Sequence, residues 1–388
     1  MGRDSSTSDN SARESYWDNG QKVLVEKMRI GIDISSIIYG TGVSVYTKNL
    51  VEFLLKVDSK NEYLFFFSSL RRKLKEAGLD LEADNASIKS FKIPPTILDG
   101  LWNVLHLYPL ENFIGEVDVF HASDWTQPPA KEAKLVTTIH DLSFLRWPSS
   151  VHPKVLAVQK RRLAWVKKEA EMIIAVSETT KKEIIELLGI PERKIRVIHE
   201  ALPADFKKIK PQVNLKKLGI HKPYLLASGS QAPRKNIERV IQAFALLKNK
   251  KDLQLVITGN YQPQGKIPAG VISRDFGTWK EWAGLIKEAE ALVYPSLYEG
   301  FGLPILESFY LGTPVVTSNL SSMKEVAGQG AVLVSPDSVE SIAGGVEKLL
   351  SDSQFKKELV KKGKKRVADF SWEKAARETL AVYEQARG

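Results

Sequence analysis

Short apolar, β-compatible runs alternate with longer helical stretches through nearly all of this 388-residue chain, and that alternation constrains its fold more than any other feature. Strand-like runs are read at 29–33, 63–67, 90–93, 117–121, 134–140, 172–176 and 195–199. A polar stretch holding lysines and prolines, 203–223, interrupts the series, which then resumes at 224–228, 253–258, 271–274, 291–295, 314–318 and 331–334. Alternation of this kind predicts an α/β protein of two Rossmann-like parallel-sheet domains facing across a cleft, over 28–205 and 206–370, with a closing helix at 371–388. The length agrees, since it exceeds what one hydrophobic core usually organises. Ligands of such sheets bind beyond the carboxyl ends of the strands, so the loops there and the cleft between the halves are where function is expected. Residues 1–27 are polar, rich in Ser, Asp and Asn, and without the apolar centre of a secretory signal; they are read as a disordered extension or tag.

The net charge of +10 and pI near 9.3 admit nucleic acid, anionic lipid or an anionic substrate as partner. The basic runs at 160–162 with Lys167 and Lys168, and at 361–366, lie in helix-like stretches and read as solvated faces. No zinc-finger or RNP-type motif accompanies them, so nucleic acid is not expected. Attraction to an anionic membrane carrying a lipid-linked acceptor stays open. No apolar run approaches the roughly 18–20 residues that span a bilayer. With no cysteine there is no disulfide, thiolate zinc site or cysteine nucleophile, which suits a cytoplasmic protein, free or peripheral at the inner face of a membrane. His106, His121, His140, His152, His199 and His221 show no metal-ligand spacing, and no metal site is expected.

The densest chemistry lies at 294–327, YPSLYEGFGLPILESFYLGTPVVTSNLSSMKEVA. After the strand ending near Pro295, Gly300 and Gly302 strip side chains from the loop, Pro304 suits a first helical turn, and Gly312 suits the helix end. The amides of Phe301, Gly302 and Leu303 then lie at a helix N-terminus, a site for phosphate. Glu299 precedes that helix and Glu307 lies one turn inside it, so both can border a phosphorylated ligand and accept its hydroxyls. The local pattern fits equally an ordinary strand-turn-helix with two solvated acids. In the first loop of the second half, Asn236 reads as an N-cap and Ile237, Val240, Ile241, Phe244 and Leu247 as one apolar stripe. Arg234 and Lys235 stand at that helix entrance, where cations are unfavourable unless an anion is present.

Together, E-G-F-G-L-P-I-L-E at 299–307, G-T-P-V-V-T-S at 312–318 and E-V-A-G at 325–328 resemble the donor-site signature of family 4 of the retaining glycosyltransferases, enzymes of the two-domain GT-B fold. The resemblance implies that Glu299 contacts the transferred sugar and Glu307 the ribose. It assigns Gly229, Ser230, Arg234 and Lys235 to the diphosphate with Gly300, Phe301, Gly302 and Leu303, places Phe276, Gly277 and Thr278 beside the base, and turns Gly40 and Gly42 toward the donor phosphates. His140, in a T-I-H-D element, is implied near the reacting centre with Asp141 on the cleft rim; Glu299, Lys235 and His140 are the implied catalytic residues. Two departures are visible. Ser230 stands where many members carry a second cation, and the prolines and glycines of 259–277 leave no room for a helix usually found there.

The terminal helix is implied to cross back to the first domain, anchored by Trp372. Flanking residues are similar to mannosyl- and other hexosyltransferases of bacterial surface-polysaccharide assembly. GDP-mannose is therefore the first donor to consider and a UDP-hexose the second, with a glycan or lipid-linked saccharide as acceptor and no cofactor beyond the donor. The alternative is a noncatalytic sugar-nucleotide-binding subunit of the same fold. A dinucleotide-dependent oxidoreductase is disfavoured, because the G-x-G-x-x-G spacing is absent.

Overall fold

Strands covered by helices on both faces must be apolar throughout, and the runs Leu225, Leu226, Ala227 and Leu255, Val256, Ile257 meet that demand, all of them buried. In the computed structural model, which describes residues 13–18, 21–78, 81, 83–248, 251–259, 261–262 and 268–388, such runs assemble into two parallel sheets. The seven-stranded sheet runs, edge to edge, Ala86–Phe91, Glu62–Ser68, Arg29–Asp33, Val119–Ala122, Lys134–Ile139, Ala170–Ala175 and Ile195–Val197. The six-stranded sheet runs Val271–Ser273, Gln254–Thr258, Tyr224–Ser228, Ala291–Tyr294, Val315–Ser318 and Ala331–Val334. Strand order reverses beside Arg29–Asp33 in the first and beside Tyr224–Ser228 in the second. The loops leaving the strands at those two reversals build the cleft.

Expected strands and observed strands agree apart from their ends, with one shift that has a physical cause. The strand expected at 90–93 is Ala86–Phe91, an edge strand whose central residues are exposed, so its polar half carries no apolar signal. Within the polar extension, Arg13–Asp18 and Gln21–Glu26 pair antiparallel, from Arg13 opposite Glu26 to Asp18 opposite Gln21; residues 1–12, 19 and 20 lie outside the described residues. Between the strands Gln254–Thr258 and Val271–Ser273 the described residues hold no helix, while 260 and 263–267 lie outside them.

The terminal helix Trp372–Arg387 packs on the helix Gly42–Val57 and on strands of the first sheet. Trp372 is buried with its ring edge-on to Tyr46 at 5.6 Å, and the Tyr383 hydroxyl lies 2.7 Å from Nδ1 of His121. Burial lowers the His121 pKa to about 3, so this imidazole stays neutral. Arg162, expected on a solvated face, is instead interior: it donates to Thr137 Oγ1 at 2.7 Å and to Gln159 and the Thr138 carbonyl. No helix among the described residues is long and apolar enough to cross a membrane.

Candidate active site

On the C-terminal wall, the turn at Pro233–Lys235 and the loop after strand Ala291–Tyr294 meet at one carboxylate. Glu299 accepts from Lys235 Nζ at 2.8 Å and from the Tyr294 hydroxyl at 2.8 Å on Oε1, and from Arg234 at 2.8 Å on Oε2. It is 7% exposed. Burial alone would raise its pKa; Lys235 and Arg234 outweigh that and lower it, so the group is ionised. The Tyr294 phenol, buried and beside Glu299, is pushed well above its usual pKa and serves as a neutral donor. Two cations against one anion leave this wall with an excess positive charge.

Backbone geometry fixes the cluster. Asn236 adopts φ +60°, a left-handed conformation that Asn tolerates better than most residues, and its Nδ2 donates to the carbonyls of Pro295 at 2.9 Å and Pro336 at 2.7 Å. The Leu297 amide donates to the Arg234 carbonyl at 2.7 Å, tying the two loops together. Asn236 thus occupies the expected N-cap position but makes no side-chain cap; its amide is spent on the neighbouring loops. A Cβ on Gly229 would fall 2.4 Å from Ile237, and one on Gly259 2.3 Å from the Gly229 carbonyl, so these glycines serve close packing. Ser230 Oγ turns back to the Ala232 amide at 3.3 Å.

The helix Leu303–Leu311 starts from Gly302, at φ +103°, and ends at Gly312, at φ +80°. Phe301 turns its ring toward His199 and Phe370, with centroids 6.1 and 5.7 Å away, so only its backbone is available to a ligand. Glu307, 3% exposed, accepts from the Trp282 indole at 2.8 Å. Burial raises its pKa to about 7 against the opposing pull of that bond. Trp282 in turn stacks on Phe276 with centroids 5.0 Å apart. Gly277 donates its amide to Glu281 at 3.0 Å, and Thr278 caps the helix Trp279–Glu288, so both already have local partners.

Across the cleft, His140 follows the strand Lys134–Ile139, with Nδ1 3.0 Å from the buried carboxylate of Glu200 and its ring edge-on to Tyr46. Burial lowers the His140 pKa, but the Glu200 bond and charge, with Asp124 and Asp141, raise it overall. Asp141 accepts from the Ser143 amide at 2.9 Å and hydroxyl at 2.7 Å, which makes it a turn-forming residue on the rim. The walls touch here. A Cβ on Gly300 would stand 2.1 Å from the His140 carbonyl, and the Tyr298 hydroxyl accepts from the Leu142 amide at 3.2 Å while donating to Glu183.

Gly40, at φ +70°, and Gly42 alternate with Tyr39, Thr41 and Val43 along a cavity of about 420 Å³. Asp33, Ser35, Ser36, Asp124 and Trp125 also line it. A Cβ on either glycine would meet nothing within 4 Å.

Residues 40–206 match the model described as Glycosyltransferase Family 4, and residues 210–366 the one described as Glycosyl transferases group 1. Over 284 residues the chain is 30% identical to O-antigen chain mannosyltransferase B of Escherichia coli, covering 68% of this chain and 74% of that protein. The chain belongs to glycosyltransferase family 4. Its GT-B architecture is shared with sucrose-phosphate synthase from Thermosynechococcus elongatus, at TM-score 0.68 and 19% identity over 92% of this chain and 99% of that one. Anabaena Alr3699/HepE in complex with UDP and glucose superposes at TM-score 0.63 with 14% identity, covering 92% and 100%.

Within this glycosyltransferase, the residues read from the sequence fall into four groups. Arg234, Lys235 and Glu299 form one cluster, Gly300 joins His140 and Asp141 across the cleft, and Glu307 pairs with the aromatic stack of Trp282 and Phe276. Gly40 and Gly42 belong instead to the cavity rim. Sequence reasoning missed Tyr294, Trp282, Glu200 and Tyr298. Trp282 was concealed in the buried stripe it shares with Ala283, Leu285 and Ile286; its indole N–H was the one signal that it needed a polar partner.

Proposed function

We propose that this glycosyltransferase moves a hexosyl group, mannose from GDP-mannose, to a hydroxyl of a glycan or lipid-linked saccharide with retention of anomeric configuration. The observation that carries the reading is the ion-paired trio of half-buried Lys235 and Arg234 with buried Glu299. Without donor, Glu299 is the counter-ion that holds two cations in place. A diphosphate brings more negative charge than one carboxylate and competes for both cations, which frees Glu299 to accept hydrogen bonds from the hexose hydroxyls. Glu307 would take the ribose, and the Phe276 and Trp282 stack offers an apolar surface beside it for the base.

In the transfer, the bond from the sugar C1 to the phosphate oxygen breaks, a bond from C1 to the acceptor oxygen forms, and the acceptor proton passes to the departing diphosphate. Lys235, Arg234 and the amides at the Gly302 helix start are preorganised for the charge that develops on the leaving oxygen. His140, with Nδ1 engaged by Glu200, retains Nε2 for a hydrogen bond at the sugar. Mannose is favoured by the mannosyltransferase relative and by the residues flanking the acidic pair.

A thermal-shift panel of nucleoside-diphosphate sugars, followed by donor hydrolysis on each hit, tests this. GDP-mannose is expected to give the largest shift. A larger shift with a UDP-hexose would move the assignment to that donor, and full turnover by a Glu299→Ala, Lys235→Ala double variant would overturn the roles given to these residues.

A further inference from the structure

The segment 97–108 combines buried and exposed apolar residues in an arrangement that the transfer reaction does not use. Trp102 is fully buried against Phe66 and Phe113. Its neighbours point the other way: Ile97 is 57% exposed, Val104 54%, Leu105 62%, Leu107 58% and Tyr108 51%. Aliphatic side chains this exposed, clustered within a dozen positions, mark a surface that meets something apolar.

The ridge is held rigidly. His106 and Tyr108 adopt φ of +51° and +66°, uncommon for residues other than glycine, so its outward display has a conformational cost. The Trp102 indole donates to the Tyr108 carbonyl at 3.1 Å, and His106 is fixed through both ring nitrogens, to the Trp102 carbonyl and to Glu169, each at 2.8 Å, with its ring stacked on Trp165 at 3.5 Å.

Charge selects the partner. The helix Pro153–Glu169 flanks the ridge with exposed Lys160 and Lys168, the latter over the Trp165 ring at 4.7 Å, while Lys167 turns away toward Gly189. Asp99 is paired with Arg161 at 2.5 Å, and Glu169 is hydrogen-bonded to His106. Apolar side chains beside a lysine fringe suit a bilayer face with anionic headgroups. Position agrees as well: Pro95 and Leu98 line the 420 Å³ cavity while Ile97, between them, stands outside it.

We propose that the ridge Ile97, Val104, Leu105, Leu107 and Tyr108, with Lys160 and Lys168, docks the protein on an anionic lipid surface and turns the hydroxyl- and carboxylate-lined cavity toward saccharides carried there. The docking stands on the ridge alone; the link to a lipid-carried acceptor rests on the function proposed above.

The full chain is sedimented with vesicles of phosphatidylcholine, alone or mixed with phosphatidylglycerol, beside a Leu105→Ser, Leu107→Ser double variant. Both side chains are exposed, so the variant is expected to fold, as circular dichroism checks. Binding to the mixed vesicles is expected, weakening at high salt and falling by about tenfold in the variant, with donor hydrolysis unchanged. No binding to mixed vesicles at low salt overturns the proposal, and so does equal binding by the variant, which would move the contact to another surface such as the basic run 361–366. A concentration-dependent dimer in light scattering that the variant abolishes, without vesicle binding, assigns the ridge to a second copy and also overturns it. Failure of donor hydrolysis with vesicle binding intact counts against the proposed function and leaves the docking surface standing.

Discussion

The two walls of the cleft use the same strand, glycine loop and helix to opposite ends. On the C-terminal wall the space is already filled: Cβ atoms on Gly229 and Gly300 would collide at 2.4 and 2.1 Å, and both cations are bound to an internal carboxylate. On the N-terminal wall Gly40 and Gly42 face open space at the rim of a cavity. A glycine after a strand therefore signals a close approach or an empty volume. Which of the two it signals depends on the facing segment, and the loop's own sequence does not record that.

The sharpest way to break the contrast is to remove the stored charge. Lys235→Ala is expected to lower turnover on the order of 10²–10³-fold, the usual cost of losing one preorganised group that meets transition-state charge, measured as kcat with the preferred donor. Next comes the contact between the walls. Gly300→Ala has no room beside the His140 carbonyl, so the walls must part; a displacement of that size is expected to cost about 10²-fold in kcat while the donor dissociation constant changes far less.

A third effect is smaller and depends on pH. Burial raises the Glu307 pKa to about 7, so the group is neutral below that value and accepts ribose hydroxyls well only above it. Donor affinity measured by calorimetry is expected to strengthen between about pH 6 and pH 8, and Glu307→Gln to abolish that slope and weaken binding about tenfold at the upper end. The linked effect on stability has the opposite sign: the contribution of protonated Glu307 is complete below its ordinary value of 4.5 and is lost as pH rises through about 7. The smallest effect belongs to the open wall. Gly42→Ala meets nothing and lies in the first turn of a helix, so it is expected to stabilise the fold by about 0.4–1 kcal/mol in denaturant unfolding. A comparable loss at Gly42 and at Gly300 would erase the distinction between the walls.

Much of this was legible in the chain because period and composition are local properties. The strands on both sides of each reversal, the helix Leu303–Leu311 with its Gly312 cap and the acids bordering it follow from short stretches read alone. What escaped notice was pairing between distant segments. Nothing near Glu299 announces that Arg234 and Lys235 will close on it, nothing near His140 points to Glu200, and Arg162 sits in a basic run that looks solvated until the strand carrying Thr137 and Thr138 is laid beneath it. Asn236 misled for a related reason: a cap is the local use of its amide, and two remote carbonyls claimed it instead.

The terminal helix has a mechanical consequence. The chain passes from the first sheet to the second between Val197 and Tyr224, and returns between Val367 and Trp372 to lie on the helix Gly42–Val57. Two lobes joined by one strand of polypeptide can swivel about it in any direction; two lobes suspended from two crossings keep essentially one rotational freedom, about the line through both. A rotation about that line would bring Gly300 back to the same place against His140, so the way the chain is strung favours a fixed register between the walls.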